Sequence, residues 1–319
     1  MRTLTQYPDL SDAPELARGI FLTIGNFDGV HKGHQELLSS IVRAAGKEGG
    51  VPTVLTFDPH PLMVLSPETP FRRLMSIEHK KTVLESLGIE LLVIEPFSEI
   101  LSRMSPDQFI RDVLVSHFSL RSLFIGEGFR FGHRRSGSIT DFRRVLEPAG
   151  VMVESIDAIS DSHGRISSSR IRSLVAEGRV LEAMALLTRP YRLEGTVVVG
   201  ERRGKKLGFP TLNLFPASDR LVPAMGIYAT RTQTTLGRFD GVSYIGTKPT
   251  FDPLPKPIIE TFLFDFDREL YGEKISVDFY DHIRGETKFT GPEELARAIA
   301  NDVRQAKDFF HDRRGTLSI

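Results

Sequence analysis

Apolar residues in the first half of the chain fall into short continuous runs, separated by stretches in which they recur every three or four positions. The runs at 20–24, 51–57, 89–94, 123–126 and 151–156 read as buried strands. Between them, 37–45, 77–87 and 109–118 carry helical stripes, and 141–146 is a shorter helix candidate. Ser105-Pro106-Asp107 gives the third helix a capping side chain, a proline in the first turn and an acid near the positive end of its dipole. Strands alternating with helices predict a parallel sheet covered on both faces, with ligands bound at the carboxyl ends of the strands.

The pattern changes near residue 188. Helix candidates at 169–177 and 180–187 close the first half, and Arg189-Pro190-Tyr191 follows. Short β-rich runs broken by Gly and Pro then appear at 195–199, 228–232, 241–245, 259–266 and 275–279. An amphipathic helix is expected over 292–310, with Leu295, Ile299, Val303 and Phe309 or Phe310 on one face. The chain therefore reads as a Rossmann-like α/β domain at 1–187 and an all-β barrel or sandwich with a C-terminal helix at 188–319. Phe-Asp-Gly-Val occurs at 27–30 and 239–242, but the flanks differ and no internal repeat is inferred.

With 319 residues the chain is long enough for two cores. Its 41 basic and 41 acidic side chains balance, which argues against nucleic acid or an anionic membrane as the main partner. The absence of cysteine excludes disulfides, thiol catalysis and thiolate metal sites. Residues 1–12 lack the apolar core of a signal peptide, and no apolar run approaches the ~20 residues of a membrane span. A cytoplasmic location is the expectation.

The chemistry concentrates on Gly25-Asn26-Phe27-Asp28-Gly29-Val30-His31-Lys32-Gly33-His34, between the first predicted strand and helix. Backbone N–H groups and the positive helix end attract phosphate there, and imidazoles add donors. Ser167-Ser168-Ser169-Arg170 opens a later helix, as either a phosphate grip or an ordinary serine cap. Phe57-Asp58-Pro59-His60-Pro61 follows the second strand, and Phe57 with the prolines suits either an apolar wall for a flat ligand or a rigid turn. The run 126–135, containing Phe129-Arg130-Phe131-Gly132, suits a mobile cover or a plain surface loop.

In the second half, Gly200, Gly204 and Gly208 with Lys206 suggest a phosphate cradle or a basic hairpin, although Leu207 rules out a Walker A sequence. Thr211 and Asn213 lie on one side of an extended segment, where neutral oxygens complete Mg²⁺ coordination if ATP supplies the charge. Glu260 is an acid in an apolar strand, facing either a substrate hydroxyl or solvent.

Taken in order, these segments resemble the prokaryotic bifunctional riboflavin kinase/FMN adenylyltransferase family. The resemblance also takes in Gly226-Ile227-Tyr228, residues 245–251, Glu260-Thr261, Leu270-Tyr271-Gly272 and Ile283-Arg284-Gly285-Glu286. It implies a nucleotidyltransferase domain joining FMN to the AMP moiety of ATP with release of pyrophosphate. It further implies a riboflavin-kinase barrel that makes the FMN from riboflavin with ATP and Mg²⁺. In that family's terms, Gly25, Phe27, Asp28, His31 and His34 bind ATP, with the two histidines on its phosphates. Ser167, Ser168 and Arg170 hold pyrophosphate. Thr211 and Asn213 position Mg-ATP, Glu260 is the base on the ribityl hydroxyl, and Phe57, Pro59, Phe129 and Arg284 lie near flavin.

Three positions depart from the family pattern. Leu212 stands where alanine is common, Gly128 replaces an acid or amide, and Ser169 replaces threonine. Competing readings are an adenylyltransferase with a flavin-binding but inactive barrel, another His-x-Gly-His nucleotidyltransferase, and a flavin-responsive regulator without turnover.

Overall fold

The structure is a computed structural model, and it describes residues 1–5, 18–200, 208–248 and 256–313. Its contacts divide into two compact units, Met1–Ser167 and Ser168–Ile319. That division falls before the composition change near 188, because of the two helices there the second packs against barrel strands and the first against the second.

The first unit is a six-stranded, wholly parallel sheet in the order β1-β4-β3-β2-β5-β6. Its strands are β1 (Arg2–Leu4), β2 (Ile20–Ile24), β3 (Val51–Phe57), β4 (Leu91–Glu95), β5 (Leu120–Gly126) and β6 (Met152–Ile156). Every residue of β2 is buried, as a central parallel strand covered on both faces requires. One core holds Ile20, Leu22, Ile24 and Phe142, and the other holds Phe21, Leu38 and Ile41. The latter two lie on α1 (Lys32–Glu48), which ends on Gly49 with φ 66° and its N–H bonded to the Ala45 carbonyl. From β2 the chain proceeds to β3 and β4 on one side, then returns to β5 on the other. The strand order therefore reverses at the carboxyl ends of β2 and β5.

Helices α2 (Pro61–Leu65), α3 (Ile77–Ser86), α4 (Glu99–Arg103), α5 (Pro106–Gln108) and α6 (Ile139–Leu146) complete the layers around this sheet. The stretch expected as an α-helix from 109 is instead π-helical over Phe109–Val115, behind the Ser105–Gln108 capping box. A two-stranded hairpin, β7 (Ser160–Asp161) and β8 (Gly164–Arg165), follows the sheet.

The second unit starts with α7 (Ser168–Ala176) and α8 (Val180–Leu187). A closed antiparallel barrel follows, ordered β10-β13-β12-β11-β14-β9. Its strands are β9 (Tyr191–Val198), β10 (Leu212–Leu214), β11 (Gly226–Thr234), β12 (Gly237–Lys248), β13 (Lys256–Leu263) and β14 (Lys274–Arg284). Closure removes exposed sheet edges. Helix α9 (Pro292–Asp312) packs Ala306 and Phe310 against Ala229, Val242 and Tyr280.

Candidate active sites

The turn from β2 into α1 sits at the reversal of strand order. His31 caps the helix, its Nδ1 accepting the His34 N–H at 3.4 Å. The two imidazoles stack at 3.7 Å with 15° between planes, and Phe27 meets His34 edge-on at 5.1 Å. Because Nδ1 of His31 accepts, the proton of its neutral ring belongs on Nε2, where it is a donor. Val30 holds φ 38° and Phe27 φ 45°, conformations that β-branched and bulky residues adopt only when their surroundings enforce them.

Two of the residues expected to bind ATP belong to those surroundings. Phe27 is turned into the core beneath His34. Asp28 is 3% exposed, and both of its oxygens accept the Leu74 N–H at 3.0 Å. Both residues brace the turn from below. Gly25 continues the sheet, with its N–H bonded to the Leu55 carbonyl.

Lys80 on α3 supports the same turn and was not singled out from sequence. It is 7% exposed, and its Nζ donates to the Asn26 carbonyl at 2.7 Å and to Thr56 Oγ1 at 3.4 Å. A lysine sharing a buried helix face with Val83 and Leu84 was the legible signal. Burial pushes its pKa down to about 8, although the nearby Asp28 and Asp58 carboxylates pull it up. Between pH 8 and 10.5 the unfolded chain then binds more protons at this position than the folded one, so its contribution to stability improves as pH rises. The full span is on the order of 3 kcal/mol. Denaturant unfolding of the wild type and Lys80→Met at pH 7.5 and 9.5 tests this. The wild type should gain stability relative to the variant at the higher pH, and a constant difference contradicts the buried-amine account.

Two further segments stand at the carboxyl ends of neighbouring strands. After β3, Phe57 packs edge-on against Phe97 at 5.6 Å. Pro59 follows a cis peptide, His60 stacks on Phe71 at 4.2 Å, and Arg73 donates to Asp58 at 2.7 Å. After β5, the segment expected as a mobile cover or a plain surface loop packs its rings inward. Phe131 is buried and stacks on Phe142 at 4.1 Å, with half-buried Phe129 packed beside them. Ser167 directly precedes α7, and Ser168 and Arg170 lie in its first turn; all three are half-buried.

In the barrel, Asn213 on β10 stands directly opposite Glu260 on β13, and Tyr244 on β12 is opposite Glu260 on its other side. Alternation puts the three on one face. Asn213 is 5% exposed, and its amide donates to the Thr211 carbonyl at 3.4 Å. The hydroxyl of Tyr244 donates to Glu286; burial comes first and this carboxylate second in holding its pKa above the usual phenol range. Tyr244 was missed from sequence because only strand register brings it beside Glu260.

Gly200 lies so close that a Cβ there would fall 2.3 Å from the Asn213 amide nitrogen. Gly200→Ala should therefore displace the amide and slow FMN formation, by roughly tenfold or more if misplacement of about 1 Å costs what it does elsewhere. FAD formation from supplied FMN should not change, and unaltered riboflavin phosphorylation in the folded variant would contradict the cradle. Gly208 has φ 87°, while Gly204 and Lys206 lie outside the described residues. Arg284, expected near flavin, forks onto Asp302 at 2.7 and 2.8 Å and so ties β14 to α9.

Among the described residues no group of three or more His, Asp or Glu side chains fits a metal ion. Thr211 and Asn213 suit a divalent cation as neutral partners to phosphate, with Gly200 leaving the space that the Asn213 amide occupies. No helix among the described residues is long and apolar enough to cross a membrane.

Comparison with known proteins agrees with both units. Residues 13–170 match the family described as FAD synthetase, and residues 187–310 match riboflavin kinase. The bifunctional riboflavin kinase/FMN adenylyltransferase of Bacillus subtilis (strain 168) is 35% identical, over 92% of this chain and 93% of its own length. The protein of the same description from Haemophilus influenzae (strain ATCC 51907 / DSM 11121 / KW20 / Rd) is 34% identical, over 95% and 98%. A solved structure described as a macrolide-efflux protein from Streptococcus pneumoniae superposes with a TM-score of 0.82 at 29% identity, covering 90% of this chain and 93% of that one.

Proposed function

The chain belongs to the bifunctional riboflavin kinase/FMN adenylyltransferase family, and from that premise we propose how its own residues divide the two reactions. It uses ATP to phosphorylate riboflavin to FMN and to adenylylate FMN to FAD. The observation that carries the assignment is the pair of stacked imidazoles, His31 and His34, at the start of α1.

In FAD formation, an FMN phosphate oxygen attacks the α-phosphorus of ATP and the bond to pyrophosphate breaks. Charge accumulates on phosphate oxygens throughout, so prepositioned donors supply most of the stabilisation. His31 and His34 donate to the phosphates, with the helix end and turn amides beside them. Asp28 and Lys80 hold that turn in place. Ser167, Ser168 and Arg170 take the departing pyrophosphate, a role supported by their match to the family pattern.

In FMN formation, a ribityl hydroxyl attacks the γ-phosphorus of ATP and ADP leaves. Glu260 accepts the hydroxyl proton. Thr211 and Asn213 position ATP with its cation, for which we propose Mg²⁺. When bound, that ion neutralises phosphate charge. Phe57, Pro59 and Phe129 offer apolar surface to the isoalloxazine in the first unit.

Incubation with riboflavin, ATP and Mg²⁺, followed by chromatography of the flavins, tests this reading. FMN, FAD and one pyrophosphate per FAD are expected. FAD only from supplied FMN would indicate an inactive barrel, and flavin binding without either product a non-catalytic regulator; each would overturn the two-reaction assignment.

A further inference from the structure

Tyr244 on β12 stands directly opposite Glu260 on β13, and Glu260 in turn opposite Asn213 on β10. The phenol ring lies along its own strand over Gly246, where a Cβ would collide with the ring and its oxygen. A glycine two residues on, on the same face, therefore lets the ring lie against the barrel wall instead of standing away from it. Laid that way, the hydroxyl reaches the turn after β14 and donates to Oε1 of Glu286.

That turn is fastened from behind. Arg284 forks onto Asp302, and its Nη1 also donates to the Gly285 carbonyl at 3.1 Å and to Thr287 Oγ1 at 3.3 Å. The residues on both sides of Glu286 are thereby held, while the guanidinium itself is engaged by α9. Glu286 is exposed, and its Oε2 has no partner among the described residues. Burial first, then the bond to Glu286 and the charge of Glu260, keep the phenol protonated well above neutral pH. One hydroxyl thus lies within electrostatic reach of two carboxylates, bonded to one and beside the other.

An ionised carboxylate only accepts hydrogen bonds. ATP presents phosphate oxygens, which are acceptors of like charge and are repelled. Riboflavin presents a ribityl chain, a row of hydroxyl donors. We propose that Glu286 is a riboflavin-binding residue of the kinase site, its free oxygen accepting from a ribityl hydroxyl short of the terminal one, and that Tyr244 positions it. The inference rests on Glu260 being the base that takes the terminal hydroxyl proton. It also gives the 283–286 segment a side chain for the flavin substrate, Glu286, where Arg284 is turned to Asp302.

The test is steady-state FMN formation by the full-length protein, with riboflavin and ATP varied in turn. Lumiflavin, the same ring system with a methyl group in place of the ribityl chain, is added as an inhibitor. Glu286→Ala should raise KM for riboflavin about tenfold, the scale of one charge-assisted hydrogen bond. kcat and KM for ATP should hold, as expected when a contact made equally in ground and transition states is lost. Lumiflavin inhibition should be unchanged, because lumiflavin has no hydroxyl to lose. Glu286→Gln keeps an acceptor oxygen and should recover most of the effect. Tyr244→Phe keeps the ring over Gly246 and should raise the same KM, yet add little in the Glu286→Ala background. A riboflavin KM indifferent to Glu286→Ala, equal weakening of lumiflavin, or a loss that Glu286→Gln does not recover overturns the proposal. Additive effects of Tyr244→Phe and Glu286→Ala overturn the positioning role. A wild type that forms no FMN would remove the kinase reading and this inference together, which sets that failure apart from the others.

Discussion

Replacing His31 with alanine is expected to slow FAD formation by roughly 10²–10³-fold while leaving riboflavin phosphorylation intact. His31 caps α1 through Nδ1 and stacks on His34, so the substitution removes a proposed phosphate donor and the ring packed on His34. Loss of one prepositioned donor in comparable sites costs roughly 10²–10³ in rate, about 3–4 kcal/mol. Loss of the cap adds about 1 kcal/mol of destabilisation, too little to unfold a sheet whose central strand is wholly buried. The measurement is FAD formed from supplied FMN and ATP, alongside FMN formed from riboflavin by the same preparation. A variant that retains adenylylation within tenfold of wild type would remove the imidazole pair from the mechanism.

Asn213→Ala is expected to do the reverse. The Asn213 amide is nearly buried, beside Thr211, against Gly200 and opposite Glu260. Alanine at 213 leaves the strand pairing intact, since backbone atoms make the bonds to Val198 and Glu260. What is lost is the oxygen proposed to orient ATP and its cation, for which a fall of roughly 10²-fold in FMN formation is expected. FAD made from supplied FMN should be unaffected. If riboflavin phosphorylation survives at wild-type rate, the Asn213–Glu260 face does not carry the kinase reaction.

Much of this was legible because burial on both faces leaves an unambiguous trace. The runs ending at Ile24 and Phe57 contain no charged residue and no polar one but threonine, and both became central strands with the expected limits. β1 escaped notice because it is a three-residue edge strand, two of whose residues are polar. β10 was hidden by its length and by the Gly- and Pro-rich segment before it. The stripe at 109–118 correctly signalled a helix, but periodicity over so short a span does not separate α from π winding.

At the sites, residue type announced the chemistry and concealed its direction. Phe27 and Asp28 occupy the motif, yet one packs into the core and the other holds Leu74. The Phe129–Phe131 segment suited either a cover or a surface loop, since its glycines, aromatics and arginines do not say which way the rings face; they pack on Phe142. Arg284 sits in a family segment near flavin, but the guanidinium is directed to Asp302, eighteen residues away in sequence. Lys80 and Tyr244 emerged only when a buried helix face and a strand register were placed beside the motifs.

Two separable centres in one chain make a direct demand on a mixing experiment. His31→Ala and Asn213→Ala, each slowed at least about a hundredfold in one of the two steps, are combined in equal amounts with riboflavin, ATP and Mg²⁺, and the flavins are resolved over time. The account predicts that FMN released by the first variant is converted to FAD by the second. No FAD from the mixture, with either folded variant inactive in both half-reactions, would contradict it.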